Sequence, residues 1–246
     1  MALKFPYRSQ YPNVPPISTE ELASKYDAGK VVIIDVRSKI EYNVIHPMGA
    51  IHLPVSKMTF VRDLGELIAQ HPGKTFAFYC NGVTCLKSYE ATKKAIKAGY
   101  QNCYVYDAGI PDWAIHYPEK TLLLGKPISN PEKQLIPKSE FKKKCLSFED
   151  FKAKATGPNT MVIDVRDHIQ SSGKLPGLED ARSIPLDVFI PNFVERKAHQ
   201  DKTLLIFDQV GKQVRWLEYY LVENGYNNYF FLKGGATAVI KKQIYK

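Results

Sequence analysis

The chain has 246 residues, 44% of them hydrophobic and 24% charged, with a formal net charge of +9. That balance is ordinary for a folded globular protein and excludes a disordered chain. The length suits one or two domains of about 100–150 residues, each able to bury its own core.

No apolar run approaches the ~18 residues of a membrane span. Met1 to Pro16 has no apolar stretch of the secretory kind, so the cytoplasm is the expected compartment. The four cysteines at 80, 85, 103 and 145 are too sparse for a disulfide scaffold, and no paired CxxC or Cys/His cluster has zinc spacing. The lysines gather in three places. Lys93, Lys94 and Lys97 read as one solvated helix face, Lys142 to Lys144 as linker, and Lys241 and Lys242 as a tail. No nucleic-acid motif accompanies them, so neither a nucleic acid nor a membrane is expected as a partner.

In chain order, an N-terminal arm over 1–16 precedes a helix opened by Ser18, with Glu21 three residues on. A hydroxyl and an acid at that spacing satisfy free N–H groups at a helix start. The β-branched run Val31 to Ile34 reads as a buried strand, and Thr75 to Tyr79 as a second. A helix over Ser88 to Ala98 stops at Gly99, and a third strand follows at Cys103 to Tyr106. Residues 125–145, rich in Pro and Lys, read as a linker.

The series then starts again. Ser147 and Asp150 open a helix, Met161 to Ile163 and Thr203 to Phe207 read as strands, Val214 to Asn224 as a helix closed by Gly225, and Tyr229 to Leu232 as a strand. Ile33-Ile34-Asp35-Val36-Arg37 recurs as Val162-Ile163-Asp164-Val165-Arg166, an offset of 129. Lys74 to Cys80 recurs as Lys202 to Asp208, an offset of 128, and Gly99-Tyr100-Gln101-Asn102 as Gly225-Tyr226-Asn227-Asn228, an offset of 126. Three matches in register mark an internal repeat. Strands alternating with helices imply an α/β fold: two domains, 17–124 and 146–246, each a parallel sheet with helices on both faces.

Ligands of such sheets gather beyond the carboxyl ends of the strands. Cys80 stands at one of these ends. The loop Cys80-Asn81-Gly82-Val83-Thr84-Cys85-Leu86-Lys87 leads from it into a helix start, where N–H groups and the helix dipole favour an anion. A thiol placed there is expected to react as thiolate. A buried core cysteine would fit the position equally well.

The ordered series of motifs resembles the rhodanese domain, in tandem. In the first copy it comprises Ile34-Asp35-Val36-Arg37, Glu41-Tyr42, His46, Gly49-Ala50-Ile51, Leu53-Pro54, Tyr79-Cys80 with its loop, Ala98-Gly99-Tyr100, Gly109 and Trp113. In the second it comprises Asp164-Val165-Arg166, Leu175-Pro176-Gly177, Ile184-Pro185-Leu186, Asp208 to Gly211, Gly225-Tyr226 and Gly234-Gly235. The resemblance implies a sulfurtransferase in which Cys80 accepts a sulfane sulfur as a persulfide. The loop from Asn81 to Lys87 would hold an anionic donor such as thiosulfate, and a thiol or cyanide-like acceptor, small or protein, would take the sulfur. It implies no metal or organic cofactor.

The copies depart from the family loop C-x-x-G-x-R-S differently. The second has Asp208 in place of the thiol and is expected to be inactive. In the first, Gly99 lies 19 residues after Cys80, against 17 from Asp208 to Gly225, and the two extra residues are most simply placed in the loop, with a longer helix as the alternative. A wider loop resembles the phosphate- or arsenate-handling branch, but Leu86 stands where that branch has an Arg, which argues against this chemistry. Cys85 could resolve a Cys80 persulfide or sulfenic acid as a disulfide, or be a spare small residue facing the helix. Lys87 is either a donor-attracting cation or an exposed first-turn lysine. Asp35 is expected to order the loop from beneath, with Arg37 as its partner or as an anion guide, while His46, Tyr42 and Trp113 read as structural. Two other readings stand beside the sulfurtransferase: a non-enzymatic sulfur carrier or protein-interaction scaffold, and a Cys80/Cys85 thiol redox protein.

Overall fold

The structure, a computed structural model, describes residues 4–167 and 173–244, the last four of these as backbone only. The side chains of Lys241 and Lys242, read above as a basic tail, therefore lie outside the described part. The chain divides into two compact units, Met1–Gln134 and Leu135–Lys246. No described helix is long and apolar enough to cross a membrane.

The first unit runs α1 (Thr19–Asp27), β1 (Val31–Asp35), α2 (Lys39–Val44), β2 (Ile45–Pro47), β3 (Ile51–His52), α3 (Phe60–Gln70), β4 (Thr75–Tyr79), α4 (Lys87–Lys97), β5 (Cys103–Tyr106), α5 (Gly109–His116), β6 (Thr121–Leu123), β7 (Lys126–Pro127) and α6 (Pro131–Gln134). Its main sheet is parallel, in the order β3-β1-β4-β5. Strands β2, β6 and β7 form a small antiparallel sheet. Val32, Ile33 and Ile34 are all buried, as a strand covered on both faces requires. One face packs Val32, Ile34, Phe76 and Phe78 against Phe60 and Leu64 of α3 and Ala91 and Ala95 of α4. Helix α1 starts as its sequence dictates, with the Glu21 N–H donating to Ser18 Oγ at 3.1 Å.

The N-terminal arm lies along the sheet edge. The Val105 N–H donates to the Pro15 carbonyl at 2.9 Å, and the Ile17 N–H to the Val105 carbonyl at 3.0 Å. Farther back, Arg8 grips the buried Asp107 with Nε at 2.9 Å and Nη2 at 3.0 Å, and the Tyr89 hydroxyl of α4 donates to the same carboxylate at 2.5 Å.

The second unit runs α7 (Lys138–Lys143), β8 (Cys145–Leu146), α8 (Phe148–Ala155), β9 (Thr160–Asp164), β10 (Arg182–Ser183), α9 (Leu186–Phe189), β11 (Thr203–Phe207), α10 (Val214–Glu223), β12 (Tyr229–Leu232) and α11 (Gly235–Ile244). Its parallel sheet has the order β10-β9-β11-β12-β8. Ser147 caps α8 through the Asp150 N–H at 3.1 Å, as Ser18 caps α1. Residues 125–145, read from composition as a linker, are built into both units. Strand β7 closes the small sheet of the first, and β8 is an edge strand of the second. Buried Phe141 of α7 packs on Phe231 at 5.5 Å between ring centroids. Too few apolar residues fall in this stretch to show a period, yet a two-residue edge strand needs none.

Candidate active site

The parallel register sets Asp35, the last residue of β1, opposite Tyr79, the last of β4. Everything that follows these two residues therefore emerges at the same end of the sheet. Cys80 comes next after Tyr79, and the loop 80–86 carries the chain into α4. In the second unit the loop 208–213 does the same between β11 and α10. The two extra residues of the first copy are thus divided. The loop is one residue longer, and α4 has 11 residues against 10 in α10. The loop, the simplest placement, takes one of them, and the longer helix, the alternative, takes the other.

Beneath the loop lies a buried ion pair. Asp35 and Arg37 are both fully buried. Arg37 reaches Asp35 through its backbone N–H at 2.9 Å, Nε at 2.9 Å and Nη2 at 2.6 Å, while the Tyr79 hydroxyl donates to the same carboxylate at 2.5 Å. Burial disfavours the Arg37 charge, but the neighbouring Asp35 outweighs it and the guanidinium is held above its usual value. Nη2 also donates to the Ile45 carbonyl at 2.6 Å, and Nη1 to Asn81 Oδ1 at 3.0 Å. Asp35 thus connects to the loop through Arg37, which donates to its second residue. Of the two roles open to Arg37, its burial suits the partner and not the guide of a solvent-borne anion.

Glu41 holds the loop from the other side. It closes a capping box at the start of α2, accepting from the Ser38 N–H at 2.9 Å. The Asn81 amide donates to Oε1, and Lys87 Nζ lies 3.8 Å from Oε2. Burial raises the Glu41 pKa, but Arg37, the Ser38 hydroxyl and Asn81 overcome it, and the net shift is downward. Sequence reading quoted Glu41 only as part of a motif. The Ser-x-x-Glu spacing of Ser38 and Glu41 was the signal that its carboxylate faces back along the chain. Lys87 is the first residue of α4 and is about half exposed.

Cys80 itself is 1% exposed. Among the described residues its sulfur donates to the Cys85 carbonyl at 3.3 Å and shares a hydrogen bond of 3.2 Å with the fully buried Ser88 hydroxyl. Ser88 was read only as a helix start; its second role follows from the first turn of α4 facing back onto the strand end. Cys85 is partly exposed, packs against the core, and donates its N–H to the Gly82 carbonyl at 2.9 Å. Gly82 has a φ of +98°, open to glycine without strain. Cys80 and Cys85 are free thiols five residues apart on this loop. Burial pushes the other two thiols, Cys103 and Cys145, up to about 11.

The second unit shows what the turn can do for an anion. Asp208 stands where Cys80 stands, 1% exposed. Its carboxylate accepts from the N–H groups of Val210 at 3.1 Å, Gly211, Gln213 at 2.6 Å and Val214 at 3.2 Å. Five residues after Asp208, Gln213 presents an N–H to it, whereas five residues after Cys80, Cys85 presents its carbonyl; counted from the helix, Gln213 corresponds to Leu86, because the first loop is one residue longer. The Asp164–Arg166 pair repeats the ion pair at 2.7 Å, but Arg166 Nη1 has no hydrogen-bond partner among the described residues.

His46 shares a 2.6 Å hydrogen bond with the Tyr42 carbonyl, and its ring stacks on that of Tyr42 at 4.0 Å. Burial lowers its pKa. Tyr42 donates to the Ala50 carbonyl at 2.9 Å, and Trp113 is fully buried. Leu86 is the residue before α4, so no guanidinium enters the loop at that point.

The model of the Rhodanese-like domain matches residues 18–116. An HTH-type transcriptional regulator of Mycobacterium tuberculosis is 30% identical over 100 residues, 40% of this chain and 41% of that one. A probable adenylyltransferase/sulfurtransferase, MoeZ, of the same organism is 34% identical over 100 residues, 24% of its length. The thiosulfate:glutathione sulfurtransferase of Saccharomyces cerevisiae is 28% identical over 110 residues, 41% of this chain and 76% of that one. The chain thus spans less than half the length of the first two of these relatives. Among solved structures, the thiosulfate sulfurtransferase of Pseudomonas aeruginosa aligns over 94% of this chain and 45% of its own, at 20% identity and a TM-score of 0.39.

Proposed function

Residues 18–116 are a rhodanese-like domain of the rhodanese family, and from that premise we propose that this chain is a sulfurtransferase with Cys80 as its nucleophile. The Cys80 thiolate attacks the outer sulfur of an anionic donor such as thiosulfate. A sulfur–sulfur bond forms on Cys80, the donor's own sulfur–sulfur bond breaks, and sulfite leaves with its electron pair. An acceptor thiol then takes the outer sulfur and restores Cys80. The observation that carries this reading is the thiol at the carboxyl end of β4, facing the first turn of α4, with Ser88 hydrogen-bonded to it. The yeast relative, by its name, takes sulfur from thiosulfate to glutathione, which supports a small thiol as acceptor here.

The second unit belongs to the same proposal as a silent copy of the same domain, so that the chain is a tandem pair. Asp208 cannot hold sulfur as a persulfide, and its carboxylate already takes four N–H groups of the turn. An anionic donor would meet both a filled cradle and a like charge.

Sulfite released on adding thiosulfate to reductant-free protein tests the proposal. About one equivalent per chain is expected from the wild type, about one from Asp208→Ala, and none from Cys80→Ser. Release that survives Cys80→Ser would overturn the assignment of the nucleophile. The absence of sulfite release with thiosulfate, together with no gain of ~32 Da from an organic persulfide donor, would favour the scaffold reading.

A further inference from the structure

The loop holds a second thiol whose placement the transfer reaction does not use. Cys85 sits on the same turn as Cys80, its N–H fixed on the Gly82 carbonyl at 2.9 Å and its own carbonyl oxygen 3.3 Å from the Cys80 sulfur. We propose that Cys85 is a resolving thiol that turns the Cys80 persulfide into a Cys80–Cys85 disulfide and free hydrosulfide, so that the protein releases sulfide from sulfane donors at the expense of a dithiol reductant. The proposal rests on the persulfide chemistry proposed for Cys80.

The step balances within the loop. The Cys85 thiolate attacks the inner sulfur of the persulfide, the one bonded to Cys80 Cβ. A Cys80–Cys85 sulfur–sulfur bond forms, the bond to the outer sulfur breaks, and that sulfur leaves as hydrosulfide with the bonding pair. The outer sulfur is reduced, and the two cysteines are oxidised to the disulfide. A dithiol reductant then opens the disulfide by exchange, becoming a disulfide itself, and returns both thiols. Hydrosulfide is a weaker base than a cysteine thiolate, and the weaker base leaves faster in such exchanges.

Two features of the loop favour this fate over a long-lived persulfide. Cys85 lies on the same turn as Cys80 and meets its persulfide without the diffusional encounter an external acceptor needs. The Cys85 carbonyl oxygen stands 3.3 Å from the Cys80 sulfur and repels a persulfide anion, leaving the Ser88 hydroxyl at 3.2 Å as the donor facing it. Cys103 and Cys145 do not compete, since burial pushes both up to about 11 and keeps them protonated.

The experiment is a single turnover of the full chain with thiosulfate and no reductant, reading sulfite, sulfide and intact mass for wild type, Cys85→Ser and Cys80→Ser. The wild type is expected to release about one equivalent each of sulfite and sulfide, lose ~2 Da, and yield a peptide carrying a Cys80–Cys85 disulfide. Cys85→Ser is expected to release sulfite alone and keep ~32 Da of added sulfur, and Cys80→Ser to do nothing. Sulfite without sulfide from the wild type, with the ~32 Da retained, overturns the resolving role and leaves the transferase standing. No sulfite from any form removes the premise instead. Should Cys85→Ser fail to fold, the wild-type peptide map and sulfide yield decide alone.

Discussion

Replacing Asp35 by Ala leaves the Arg37 guanidinium buried without its counter-charge. The carboxylate accepts from the Arg37 N–H, Nε and Nη2 and from the Tyr79 hydroxyl, all between 2.5 and 3.1 Å. Asn81 and the Ile45 carbonyl keep contact with the guanidinium but carry no negative charge. Breaking a buried pair from one side costs about 3–5 kcal/mol. With a urea m-value of about 2 kcal/mol/M, the midpoint for the first unit should fall by roughly 1.5–2.5 M. The chain has two tryptophans, Trp113 in the first unit and Trp216 in the second. Trp113 is fully buried, so its fluorescence in a Trp216→Phe background reports the unfolding of the first unit. The double variant Asp35→Leu/Arg37→Met removes both charges and should recover part of the loss, since replacing a buried pair by apolar residues is often neutral. A midpoint shift under about 0.5 M for Asp35→Ala would refute the view that this pair holds the loop.

Asp208→Ala strands four N–H groups of the second turn. It should lower the stability of the second unit by about 2–4 kcal/mol, read through Trp216 in a Trp113→Phe background, with Asp208→Asn costing less. Gly109→Ala places a methyl group against the Gly82 nitrogen and the Cys80 carbonyl at a φ of +68°. It should abolish sulfite release and cost the first unit about 2–4 kcal/mol; unchanged release would show that the loop tolerates displacement there. Because the Glu41 pKa is lowered on folding, its contribution to stability is full above the unfolded carboxylate value and is lost as pH falls through the lower folded value. An acid titration followed through Trp113 should therefore show a steeper loss in wild type than in Glu41→Gln, and matching slopes would mean that Glu41 is not coupled to folding.

Much of the architecture was legible because it is written in short-range patterns. The strands Thr75–Tyr79, Cys103–Tyr106, Thr203–Phe207 and Tyr229–Leu232 fall where their apolar runs lie, since a strand covered on both faces needs an unbroken run. Ser18 and Ser147 cap the helices they were expected to cap, for the capping bond joins residues only three apart. The position of Cys80 at a strand end follows from the same local signals.

What the sequence alone did not determine depends on groups distant along the chain. The grip of Glu41 on Asn81 spans 40 residues, and the Arg37–Asn81 bond spans 44. Neither residue type implies the other, and only the parallel register of β1 and β4 brings both to one end of the sheet. The Asp208 substitution was visible as a lost thiol, but its capture of four backbone N–H groups depends on the dihedral path of the turn. Residue types likewise left open whether the peptide at Cys85 would offer its N–H or its carbonyl to Cys80. The path of the first loop is held by residues distant along the chain: the Ile110 N–H donates to the Cys80 carbonyl at 3.0 Å, and Gly109, at a φ of +68°, leaves no room for a side chain against the Gly82 nitrogen.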